Sequence, residues 1–306
     1  MEWKKVFKNV LSVLIVFGGF YIVFTGLDIS MVVENLLNVN LVFIGAWLCF
    51  FMVTTGLKSY RWKEILNEKG GNLSFFKSYK IYFISFFVNS FVPARAGDFY
   101  RGYLSSDDGI LDTSVLVVKD RLFDIFVLAL YFSILAIIVF DQFLFYIIIL
   151  SLFFAGFLGV YFFFNYFEEF PIMSDFYSKI RFSFIDNIET DKTFYFLGIT
   201  VVIWFFDAIK TFMIFNAIGL DLSFVTAMFA CIIWSLVSAI PLSPSGLGSV
   251  EAVLYVFFTS QGVPRELFTS YLVLARTLIT VTSMFVGGFF YSEMVLKDIS
   301  STDQSS

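Results

Sequence analysis

The chain has 306 residues, of which 59% are hydrophobic, 21% aromatic and only 15% charged, with a net charge of −5. A soluble domain carries about 25% charged residues, so composition excludes an ordinary soluble protein, and the acidic balance offers nucleic acid no footprint. There is no His, which removes the commonest general base, the commonest metal ligand and any Ser–His or Cys–His pair.

Several apolar runs reach the roughly 20 residues that cross a bilayer. The first, about Val6 to Thr25, follows Lys4, Lys5 and Lys8, which places the N-terminus in the cytoplasm. It is long enough to span and has no convincing cleavage site, so it reads as a retained helix. A short connection with Asp28 and Glu34 leads to a second span, about Leu41 to Leu57, expected to end in a basic cytoplasmic loop with Lys58, Arg61, Lys63 and Lys69. The segment Phe75 to Val92 is apolar but stops at Pro93-Ala-Arg-Ala-Gly97-Asp98, and Phe99 to Leu104 is too short to span. Phe75 to Leu104 therefore reads as a re-entrant hairpin, which needs protein or a wet cavity around its non-helical tip.

A third span, about Ser114 to Phe140, holds Lys119, Asp120, Arg121 and Asp124 in its first half. Asp141-Gln142 makes an external turn, and a fourth span covers about Leu144 to Phe164. A polar cytoplasmic stretch from Tyr166 to Thr193 precedes a fifth span, about Phe194 to Ile218, which contains Asp207 and Lys210. A second hairpin, about Phe224 to Gln261, breaks between Pro241 and Ser249. The last span is about Leu267 to Tyr291, and residues 292–306 are expected to be a short disordered tail.

The expected fold is an all-α polytopic membrane protein with about six transmembrane helices and two re-entrant helical hairpins. One integral membrane domain, residues 1–291, would hold inverted halves at about 75–140 and 224–291. Of 20 Lys plus Arg, only Arg265 falls in a connection assigned outside, so both termini are expected in the cytoplasm of a multi-pass cell-membrane protein. The hairpins would then enter from opposite faces. Broken helices in corresponding positions of two halves are a pointer to a transporter binding site.

A charge near the bilayer centre costs about 2.5–3.5 kcal/mol on insertion scales, so each needs a reason. Arg121 and Asp124 are three residues apart and share a helix face, as do Asp207 and Lys210. For Asp207 and Lys210, ion pairing that pins helices stands level with a role in ion coupling. Arg95 lies in the first break, and Arg276 is alone in the middle of the last span. Each could pair with Asp98 or Glu251, or meet an anionic substrate, because the planar Arg fork suits phosphate. Asp98 and Ser249 are N-cap types for the helices after the breaks. A buried helix N-terminus favours anions, and Gly97, Gly246 and Gly248 leave room for a headgroup against the backbone. The candidate substrate-binding set is Arg95, Asp98, Arg101, Arg121, Asp124, Gly246, Gly248, Ser249, Glu251 and Arg276.

Arg61-Trp62, Pro93-Ala-Arg-Ala-Gly-Asp-Phe-Tyr-Arg101, Val117-Val-Lys-Asp-Arg-Leu-Phe-Asp124 and Pro241-Leu-Ser-Pro-Ser-Gly-Leu-Gly-Ser-Val-Glu251 together resemble the lysylphosphatidylglycerol synthase transmembrane (flippase-like) domain family. The resemblance covers nearly the whole chain. It implies movement of anionic or aminoacylated lipids between leaflets. The chain ends 15 residues after Tyr291, so a stand-alone member without the soluble transferase domain is expected. The resulting expectation is a translocase, not an enzyme, for phospholipid or polyprenyl-phosphate headgroups, without cofactor or metal. The alternatives are an intramembrane enzyme acting on a lipid phosphate and a scaffold subunit for a lipid-modifying enzyme.

Overall fold

The computed structural model describes residues 17–18, 21, 23, 25–68, 70–92, 96–105, 110–139, 190–239 and 246–303. Within them every regular element is helical: α1 (Ile29–Leu37), α2 (Leu41–Asn67), α3 (Phe75–Asn89), α4 (Ala96–Ser105), α5 (Ile110–Val139), α6 (Thr190–Ala217), α7 (Phe224–Ala239), α8 (Ser249–Ser260), α9 (Arg265–Thr282) and, after a π-helical turn at Ser283–Gly287, α10 (Gly288–Asp303). Most of the expected first span, the Arg95 tip, the Asp141 turn and the expected fourth span with the polar stretch after it lie outside the described residues.

Three of the described helices are long and apolar enough to cross a membrane: Leu41–Asn67, Lys192–Ala217 and the unbroken run Arg265–Leu296. Large apolar side chains stand outward along them, including Leu41, Val42, Phe194 and Phe285. Such surfaces need an apolar surrounding. Other apolar side chains pack inward. Trp47, Phe51, Phe83, Phe215, Phe258 and Tyr271 fill one cluster, Trp62, Ile65, Tyr82 and Phe123 a second, and Leu128, Trp204, Phe229 and Ile232 a third.

The residues expected to join the first two spans form a helix of their own, α1. Asp28 caps it by accepting from the Ser30 and Met31 amides, and the Ser30 hydroxyl, with Met31 next, holds the Asp28 carboxyl below its usual range. Asn35 then donates to Ser270 at 3.2 Å, tying α1 to α9.

The second span runs ten residues past its expected end at Leu57. Lys58, Arg61 and Lys63 belong to α2 and not to a loop. The helix continues because the first two cations meet carboxylates from other helices. It stops at Gly70, with φ +85°, where the Gly70 and Gly71 amides return to Asn67 and Leu66 carbonyls, a glycine-ended helix cap.

Two helical hairpins follow from two close backbone approaches. A Cβ on Gly97 would lie 2.4 Å from the Ser85 carbonyl oxygen and 2.7 Å from Asn89 Oδ1, so only glycine lets α4 fold back on α3. On Gly246, with φ +70°, a Cβ would meet Val250 at 2.7 Å and the Ser238 Cα at 3.0 Å, which holds α8 against α7. With 15 and 10 residues in the first pair and 16 and 12 in the second, these helices are shorter than a full span.

The last helix leans on the first hairpin at Gly287, whose Cβ would stand 2.3 Å from the Phe83 carbonyl oxygen. The expected disordered tail from Ser292 is instead helical to Asp303, and Glu293 pairs with Lys80 of α3 at 2.8 Å.

Candidate functional site: a charged cavity between the two hairpins

On α5, Asp120 and Asp124 are one turn apart and share a face. That face meets Arg61 of α2, which is fully buried. Arg61 donates from Nε to Asp120 at 2.8 Å and from Nη1 to Asp124 at 2.9 Å and to the Thr200 hydroxyl at 2.6 Å. Asp124 also accepts from the Trp204 indole at 3.1 Å. Several charge-assisted donors fix such a buried carboxylate in place.

Arg121, the next residue round α5, turns away from Arg61. It pairs with Asp98 of α4 at 2.7 Å and with Asp124 at 3.1 Å. Asp98 further accepts from Ser85 and Asn89 of α3, each at 3.3 Å, so the first hairpin holds the acid that holds Arg121. The second half repeats the arrangement. Arg276 of α9 reaches Glu251 of α8, with Nε at 2.9 Å and Nη2 at 2.7 Å from Oε1, and lies 4.5 Å from the Trp234 ring. In each half, the second helix of a hairpin offers a carboxylate to an arginine on the following long helix.

A third group sits between them. Asp207 of α6 takes Lys58 at 2.8 Å on one oxygen and Lys210 at 2.6 Å on the other. All three groups open on one cavity of about 670 Å³, lined by Lys58, Asp98, Arg121, Asp124, Asp207, Lys210, Glu251 and Arg276 together with Trp47, Trp204, Cys231, Trp234 and Tyr271.

The structure thus brings together seven of the candidate residues: Asp98, Arg121, Asp124, Asp207, Lys210, Glu251 and Arg276. Arg101 is not among them. It is fully buried, bonded to Asp120 at 2.9 Å and stacked between the Trp62 and Tyr82 rings at 4.3 and 4.2 Å, so it braces α4 against α2 and α3. Arg95 lies outside the described residues.

The helix-terminus expectations need correction. Asp98 is the third residue of α4, not its cap. The position before α8 is Gly248, not Ser249, and its amide already donates to Glu251 Oε2 at 2.7 Å. The Gly97 amide is likewise taken by Asn89 at 2.8 Å. Gly97, Gly246 and Gly248 are buried, and the space beside Gly97 and Gly246 is filled by the partner helix of each hairpin. The Ser249 hydroxyl turns back to the Gly246 carbonyl at 3.1 Å. Among the described residues, the Gly97 and Gly248 amides are thus engaged within their own hairpins, and charged side chains line the space.

Sequence reasoning missed Lys58 and Arg61 as interior residues. Their three-residue spacing beside Trp62 continues the helical pattern of the span, and that was the available signal. Among the described residues no group of three or more His, Cys, Asp or Glu is placed to hold a metal.

Residues 9–287 match the lysylphosphatidylglycerol synthase TM region, and the chain belongs to that family. It is similar to a UPF0104 membrane protein of Methanothermobacter thermautotrophicus, 31% identical over 90 residues, or 29% of this chain and 27% of that protein. It is also similar to a UPF0104 membrane protein of Methanocaldococcus jannaschii, 26% identical over 222 residues, or 67% of this chain and 93% of that protein. No solved structure matches.

Proposed function

With that membership as premise, we propose that the protein is a membrane translocase for the headgroups of anionic lipids or polyprenyl phosphates. The observation that carries the reading is the single cavity into which Arg121 and Arg276 reach from the two halves, each beside an acid of its own hairpin. A volume of about 670 Å³ falls in the range of small-molecule sites, about 300–1,000 Å³. The Arg121 Nε is buried with no hydrogen-bond partner among the described residues, which leaves one donor for a ligand oxygen.

In this reading the headgroup phosphate enters between the hairpins while the acyl or prenyl tail stays in the bilayer. Phosphate oxygens exchange with Asp98 and Glu251 for the two guanidinium forks, so neither arginine is left without a counter-charge at any stage. The hairpins enter from opposite faces and both termini are cytoplasmic, which gives the cavity one wall from each side of the membrane.

The test is reconstitution in liposomes with headgroup-labelled lipids, following label that reaches the far leaflet. Wild type is expected to move phosphate-bearing lipid. Arg121→Ala and Arg276→Ala are expected to lower the rate at least tenfold while remaining folded in the membrane. Chemical conversion of the lipid without transfer would assign the cavity to an enzyme, and no effect of either variant would remove the arginines from the site.

A further inference from the structure

The ionic groups in and behind the cavity wall are not equally balanced from one group to the next. Arg61, Arg101 and Arg121 are matched by Asp98, Asp120 and Asp124. Arg276 is matched by Glu251. Lys58 and Lys210 share one carboxylate, Asp207, which among the described residues is the only one within ion-pair distance of either. The lining itself carries four cations and four acids; with Arg61, Arg101 and Asp120 behind it, these groups hold six cations and five acids among the described residues, and the excess falls at the two lysines. Beyond Asp207, Lys58 feels the nearby Asp124 carboxylate and lies 5.4 Å from the Trp204 ring, and Lys210 lies 5.1 Å from Phe51. Both ammonium groups line the cavity. An uncompensated buried charge is the least favourable state for such a group, and ring faces offset only part of it. An anion that takes a whole guanidinium fork must first displace a carboxylate, and without that displacement it finds only the single Arg121 Nε donor. One that settles at the lysines displaces nothing.

From this imbalance we propose that Lys58 and Lys210 form the charge-determining seat of the cavity, the place where a phosphate-class oxyanion with one net negative charge binds. The inference rests on the translocase reading and sharpens it. The lysines select net charge, so an anionic headgroup enters and a zwitterionic one does not. Asp207 is then the spacer that holds the two ammonium groups together, in place of a role in ion coupling. Lipid phosphate and free phosphate share this chemistry, and the experiment separates them.

The measurement is calorimetric binding to the purified full chain in neutral detergent. The probes are short-chain phosphatidylglycerol, short-chain phosphatidylcholine and inorganic phosphate. Phosphatidylglycerol is expected to bind at least tenfold more tightly than phosphatidylcholine. Lys58→Gln and Lys210→Gln each cancel the excess charge and are expected to weaken binding at least tenfold. Asp207→Asn raises the excess and is expected to tighten binding at least threefold. The double variant Lys210→Gln with Asp207→Asn restores the excess and is expected to recover most of the loss. A merely structural triad would instead lose binding in all four. Binding of inorganic phosphate without the lipid would keep the seat and assign it to a free anion. Undiminished binding in both lysine variants, with loss in Arg276→Gln, would overturn the seat and leave the translocase reading standing. Lysine-dependent binding without transport in liposomes would do the reverse.

Discussion

In the N-terminal half Arg121 answers to two carboxylates, Asp98 and Asp124, and Asp124 passes the connection to Arg61, Asp120 and Arg101. In the C-terminal half Arg276 meets Glu251, whose other oxygen caps Gly248. One pairing motif therefore sits in two settings. The first is cross-braced through α2, α4, α5 and α6, and the second joins α8 to α9. A ligand that competes for Arg121 works against a lattice of buried bonds, whereas among the described residues one that competes for Arg276 works against its pair with Glu251, the Trp234 face and one helix start. The first half is built to hold its shape and the second to yield.

Three substitutions test that contrast. The largest effect is expected for Asp120→Asn, which strips counter-charge from Arg61 and Arg101, both fully buried. Breaking a buried pair on one side costs about 3–5 kcal/mol, so the folded fraction should fall steeply in a denaturing-detergent titration. A wild-type midpoint would break the idea of a braced half. Gly97→Ala comes next, because its Cβ would press on the Ser85 carbonyl oxygen. Overpacking of this kind costs about 1–3 kcal/mol, and Gly97→Ser should be no better, which a midpoint series would read. The smallest effect is expected for Glu251→Gln. The Arg276 side chain is 22% exposed although Glu251 is buried at 1%, so the cost should stay under that of a fully buried pair, about 3–5 kcal/mol, while the amide oxygen keeps the Gly248 cap. A loss of several kcal/mol there would mean that the second half is braced as firmly as the first.

Length and apolar pattern made the helices α2, α5, α6 and α9 readable in the sequence, of which α2, α6 and the run through α9 are long and apolar enough to cross a membrane, and the Pro/Gly breaks made both helix pairs readable. The pairing of Arg276 with Glu251 was among the open expectations because both are lone charges in apolar surroundings. What the pattern could not show was partnership at a distance. Lys58 and Arg61 carry the same letters as a basic loop, and only Asp207, Asp120 and Asp124, 59 to 149 residues away, explain why α2 continues through them. The same blindness left Arg101 in the candidate set, since the Trp62 and Tyr82 rings that enclose it come from two other helices. The glycines were chosen for the right reason, close approach, but the approaching group is the protein's own backbone.

The π-helical turn at Ser283–Gly287 lies between Arg276 and Glu293 on one continuous helix. A π turn holds one residue more than an α turn, so it takes up a residue that in regular α geometry would rotate everything beyond it by about 100°. The turn therefore sets the phase between the two ends. Upstream, Arg276 is aimed at the cavity. Downstream, Phe290 faces Phe83 at 6.1 Å between ring centroids and Glu293 faces Lys80. Forcing these residues into regular α turns without removing one would clock one end by about 100° against the other, so that one could meet its partners only if the other missed them, whereas deleting one residue from the turn would leave a regular helix with both ends in phase. Sequence length here acts as an angular setting, and the π turn is what lets the extra residue fit.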